Sequence, residues 1–230
     1  MVDRSDDKAV RRGRASIGFT VKSGWAAAVL LIASPPSLGV ADSRRIELSD
    51  PAVPEARQPY HDGFGTARSS GPELVRLLGS VRRFGRKSVT QLIRDHITAG
   101  YDLAGMGIVV GSLIDPRRIG NEHIRIHAFE GQLFRSVVEE AARECALPCS
   151  IWRERDLYGV AAEDLRRPEQ DIRSTVAALG AGVTGPWRTE QKAATVAAWL
   201  LLAKAGAARS GPASPERSPT PARRRTARGR

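Results

Sequence analysis

His123, His127 and Glu130 stand at i, i+4 and i+7, so a helix through them presents two imidazoles and a carboxylate along one face. That is a donor set for a divalent metal ion, and the first turn of a polar helix, with Glu122 and Arg125 beside it, is the plain reading. Asp115 precedes them by eight residues and completes a set of four if its loop folds back onto this face. Arg117, Arg118 and Arg125 follow Asp115, and Arg153, Glu154, Arg155 and Asp156 form a second charged group. Such a rim either holds phosphate or pairs internally. Lys22-Ser23-Gly24 can cradle a phosphate through backbone N–H groups and the ammonium, or be a simple turn whose geometry Gly24 explains.

The elements that must position these residues follow from hydrophobic patterning. Residues 15–21 and 25–33 are apolar and β-branched around a short Gly-containing turn, a hairpin signal. A third strand is expected at 44–48, after Pro35-Pro36. Residues 49–71 carry Pro51, Pro54, Pro59, Gly63 and Gly65 and form a long loop. Its Tyr60-His61-Asp62 lines a site or belongs to a surface Ω-loop. Pro72 then opens a helix with Leu74, Leu77, Val81, Leu92 and Ile93 on one face, ended by Gly100. Residues 107–114 are nearly all apolar, as in a strand covered on both faces. Asn121 caps the next helix, 148–152 gives a fifth strand, and helices at 168–179 and 187–203 finish the domain. The expected architecture is α/β: a five-stranded mixed sheet, three antiparallel strands then two parallel, with helices on both faces.

This order, with Gly18-Phe19-Thr20-Val21-Lys22-Ser23-Gly24 in the opening hairpin, resembles the ribonuclease H-like superfamily of resolvases, integrases and actin-like half-domains. The resemblance spans residues 15–205 and rests on element order. It implies a nucleic-acid-associated protein, either a divergent metal-dependent nuclease or a derived binding form. In such nucleases, carboxylates from the first strand, the first long helix, the end of the fourth strand and the last helix hold two Mg²⁺ or Mn²⁺ ions about 3.5–4 Å apart. Asp115 matches the fourth-strand acid, Glu73 the first-helix acid and Glu190 the last-helix acid, whereas Thr20 occupies the first-strand position. The residues alone also allow Glu73 to favour a helix dipole and Glu190 to be a surface charge. A non-catalytic interaction module and a phosphate- or nucleotide-binding protein are the alternatives.

The net charge of +11 is uneven: 206–230 carries +6 and 1–14 carries +2, leaving +3 for the body. Both ends are expected to be disordered, the C-terminal one a Pro/Arg-rich tail that either contacts phosphates or is merely solvated. Cys145 and Cys149 are too few for a disulfide framework and are expected to pack in the core. No apolar run reaches spanning length, so a cytoplasmic protein without membrane contact is expected.

Overall fold

The computed structural model describes residues 13–34, 37–62 and 67–209. The two terminal segments expected to be disordered lie largely outside these residues. The last helix continues to Arg209, four residues into the expected tail.

Strands β1 (Gly13–Lys22), β2 (Trp25–Ser34) and β3 (Ser37–Glu47) form an antiparallel meander. Strand β4 (Tyr101–Val110) then pairs parallel to β1, and β5 (Cys149–Arg153) parallel to β4, giving the order β3-β2-β1-β4-β5. The expected mixed five-stranded sheet is therefore present. Alternation along β1 divides the molecule into two layers. Ala15, Ile17, Phe19 and Val21 face helices α1 (Pro72–Thr98) and α2 (Glu122–Glu144), whose Leu77, Val81, Phe134 and Val137 fill that core. The opposite face is covered by α3 (Leu157–Leu165), α4 (Glu169–Leu179) and α5 (Thr189–Arg209).

Helix α5 lies unusually close to the sheet. Gly18 of β1 and Gly107 of β4 are register partners. A Cβ built on Gly18 would stand 1.7 Å from the Ala194 carbonyl oxygen, and one on Gly107 would stand 2.8 Å from that of Ala197. Only hydrogen at both positions lets the helix backbone rest there.

Several boundaries differ from the sequence reading. Strand β3 starts at Ser37 rather than at 44: its first half is short of β-branched residues and holds Gly39, but pairing with β2 extends it, and Leu38 and Val40 pack against the α5 layer. Strand β4 runs Tyr101–Val110, not 107–114; Leu113 and Ile114 are apolar but exposed, and Asp115 stands in a loop five residues past the strand. Helix α3 was not expected, and burial of Leu157 and Ala161 against α5 holds this short, Gly-containing segment. Helix α5 begins at Thr189, not at 187: the Trp187 ring lies over Gly180, and its Nε1 donates to the Val176 carbonyl at 3.0 Å. Both cysteines are free, but Cys149 is exposed rather than in the core.

Two outcomes follow. Gly18→Ala forces Cβ into a backbone atom that cannot rotate away, so it should lower stability by about 3 kcal/mol, at the upper end of overpacking costs; an unchanged urea midpoint would mean that α5 is not seated this way. The second concerns His96 on the last turn of α1, buried and facing Asp42 and Arg44 of β3, Tyr101 of β4 and its neighbour Asp95. Burial depresses its pKa below the usual 6.5, against the pull of Asp42. The unfolded chain then binds more protons near and below pH 6.5, so stability falls on acidification through that window. The thermal midpoint should drop less between pH 7.5 and 5.5 in His96→Gln than in the parent protein.

Candidate functional site

The chemistry-bearing side chains gather at the edge formed by the C-terminal ends of β1, β4 and β5, where open α/β sheets place ligands. The sheet separates them into two groups. On the α5 side, the Thr20 hydroxyl donates to the backbone carbonyl of Glu190 at 2.8 Å, tying the end of β1 to the first turn of α5. Two residues on, the Lys22 ammonium donates to a Glu154 carboxylate oxygen at 3.2 Å. The place at which a first-strand carboxylate would stand thus holds a hydroxyl engaged with backbone, and the neighbouring carboxylate is neutralised by a lysine. Sequence alone places Glu154 only in a charged rim; its pairing with Lys22 needs β1 and β5 brought to the same edge across β4.

Two of the other expected acids, Glu73 and Asp115, have local partners, whereas Glu190, half-buried in the first turn of α5, meets Thr20 through its backbone carbonyl. Glu73 is exposed in the first turn of α1 and takes a two-point hydrogen bond from Arg76, at 2.7 and 2.9 Å, which holds its carboxyl below the usual range. Asp115 accepts from the Arg117 N–H at 3.0 Å and caps a short 3-10 turn, Pro116–Arg118. Arg117 and Arg118 point outward from that turn, exposed, with no side-chain partner among the described residues. The Lys22-Ser23-Gly24 turn has Gly24 at φ +81° packed against Arg57 and Ser49. Lys22 and Ser23 line a cleft of about 350 Å³ with Gly111, Ser112, His127 and Arg135.

On the α2 side a different cluster forms. Asn121 caps α2 by accepting from the Ile124 N–H at 3.0 Å, which starts the helix where His123 and His127 fall one above the other. Their Nε2 atoms are 3.3 Å apart. His61 reaches them from the long loop, whose course is fixed by the Arg68 N–H donating to the Tyr60 carbonyl at 2.8 Å and by Tyr60 stacking on Phe129 with ring centroids 5.3 Å apart. One ligand atom from each of His61, His123 and His127 lies within 4.8 Å of the others. Beneath them Glu130 is fully buried. One carboxylate oxygen is 2.8 Å from Nδ1 of His61, and the other is 3.4 Å from Nδ1 of His127. Burial pushes the Glu130 carboxyl up, against the opposing pull of the His61 hydrogen bond and of the His61 and His127 charges. The third histidine is His61, and Asp115 is not among the three. The Tyr60-His61-Asp62 string was the only signal for it, and nothing local says that this loop crosses α2.

Thr20→Val preserves volume and removes one hydrogen bond, so it should cost about 1 kcal/mol in urea unfolding; no change would mean that the Thr20–Glu190 link contributes nothing to seating α5.

No family model and no curated protein matches the chain. Solved structures similar over most of its length include the following three. The Thermus thermophilus RuvC structure is 9% identical, with a TM-score of 0.48, covering 84% of this chain and 96% of that one. T. thermophilus RuvC in complex with Holliday junction substrate is 12% identical, with a TM-score of 0.50, covering 86% and 96%. The yeast mitochondrial Holliday junction resolvase Ydc2 is 8% identical, with a TM-score of 0.41, covering 86% and 82%. Together with the strand order and the two helical layers, the likeness to the second of these establishes that this chain has a ribonuclease H-like fold.

Proposed function

We propose that this protein is a nucleic-acid-binding form of the resolvase fold that does not perform two-metal hydrolysis. The observation that carries the reading is the Thr20 hydroxyl committed to the Glu190 backbone carbonyl, with the nearby Glu154 carboxylate paired to Lys22. A pair of Mg²⁺ or Mn²⁺ ions needs several converging carboxylates. Here Glu73 is bound to Arg76, Asp115 caps its own turn, and Glu154 is paired with Lys22. The donor set does not fit such a pair, and no hydrolytic step is assigned.

Binding is favoured by the charge of +11 and by exposed Arg117 and Arg118 at the ligand-bearing edge, with Lys22 and Ser23 lining the adjacent cleft. The fold is shared with T. thermophilus RuvC, solved in complex with Holliday junction substrate, so four-way DNA is the first ligand to try. Phosphate contacts of this kind position the protein without reading sequence. The C-terminal arginines, beyond the described residues, would add salt-sensitive affinity.

Fluorescence anisotropy with four-way, duplex and single-stranded DNA should show binding that weakens steeply with salt. The double variant Arg117→Glu, Arg118→Glu should bind more weakly and with a smaller salt slope, by about one unit for each phosphate that the two side chains no longer neutralise. The same substrates with Mg²⁺ or Mn²⁺ should stay intact. Cleavage abolished by Asp115→Asn would overturn the reading in favour of a divergent nuclease. Neither binding nor cleavage would favour an interaction module.

A further inference from the structure

Two imidazole nitrogens 3.3 Å apart, as in His123 and His127, either share one proton or share one cation. A tetrahedral zinc ion with Zn–N distances of about 2.0–2.1 Å sets its ligand nitrogens roughly 3.3–3.4 Å apart, so the observed spacing is already that of a coordination edge. A third imidazole within 4.8 Å supplies the next ligand after a small ring rotation. His123 and His127 are exposed.

The support beneath the rings distinguishes this cluster from a chance grouping. Nδ1 of His61 faces one oxygen of Glu130 at 2.8 Å, and Nδ1 of His127 faces the other at 3.4 Å. With Nδ1 of His61 donating to the carboxylate, its Nε2 lone pair is left for a metal, the carboxylate–histidine arrangement that fixes tautomer and raises ligand basicity, and the second Glu130 oxygen, buried without a hydrogen-bond partner, stands ready to orient His127 in the same way. A fully buried carboxylate is costly unless something compensates it, and a dication held one ring away does so. Nitrogen donors select zinc-type ions over Mg²⁺ and Ca²⁺, which prefer oxygen.

We infer that His61, His123 and His127 bind a single zinc-type divalent cation, with Glu130 as the positioning carboxylate, so that the metal fastens the 49–71 loop to α2. The site lies on the α2 face of the sheet, opposite the Thr20–Glu190 contact, and it does not rest on the nucleic-acid reading.

Full-length protein without a histidine tag, stripped with EDTA and dialysed, should take up one equivalent of Zn²⁺ by titration calorimetry, and Co²⁺ should give the visible spectrum of a tetrahedral site. His123→Asn, an exposed change that leaves folding intact, and His61→Asn should each abolish saturable binding. Glu130→Gln should weaken it by about 10–100-fold. His96→Gln should leave it unchanged. Zn²⁺ should also slow trypsin cleavage at Arg57 and Arg68, which flank His61, in the parent but not in His61→Asn. Absence of stoichiometric uptake, or uptake that survives His61→Asn, would overturn the inference.

Discussion

The seating of α5 on Gly18 and Gly107 governs the rest of the molecule. Two glycines paired across β1 and β4 bring a helix backbone to within contact of the sheet, where any side chain would hold it away. That approach carries the first turn of α5 to the end of β1, near enough for Thr20 to donate to Glu190. It also buries Ala193, Ala194, Val196 and Ala197 in α5, so the small residues of the helix match the missing side chains of the strands. The close contact and the chemistry of the strand ends are therefore one constraint: the helix cannot retreat to admit a larger group beside Thr20 without losing the packing along its length.

The α1 and α2 layer is built differently. Large side chains, Phe19, Leu77 and Phe134 among them, fill the space and hold the helices farther off. A polar group can then be enclosed between helix and loop rather than pressed against backbone. Glu130 is enclosed in this way, beneath the ring of His61 and the Tyr60–Phe129 stack. Tight packing on one face and roomier packing on the other explain why the same edge carries a closed hydroxyl–carbonyl contact on one side and a cluster of imidazoles on the other.

The sequence was legible wherever a residue's role is local. The Gly24 turn, the Pro72 start of α1 and the Asn121 cap each declare themselves within a few positions, and the strand patterning was enough for a mixed five-stranded sheet, though not for the bounds of β4. The i, i+4 placement of His123 and His127 was legible for the same reason. What required three dimensions was partnership: Glu154 with Lys22 across 132 residues, and His61 with Glu130 across 69. Helix α3 was missed because its nine residues have little periodicity and are held by α5. The first half of β3, with Gly39 and few β-branched residues, was missed because an edge strand takes its register from its neighbour.

That division bears on how the fold can be reused. This edge gathers groups from β1, β4, β5 and both helical layers, so a change at one position, such as a hydroxyl in place of a carboxylate at Thr20, alters the donor set without disturbing the sheet. Charge at the edge is still useful to a phosphate ligand, because backbone contacts need basic groups in the right place and no reactive geometry. The histidine cluster draws on none of the carboxylates that a two-cation centre would need, since it is carried by α2 and a loop on the far side of β1. A protein of this fold can therefore change the groups on one face independently of those on the other, because Thr20 is held by α5 and His61, His123 and His127 by α2 and its neighbouring loop.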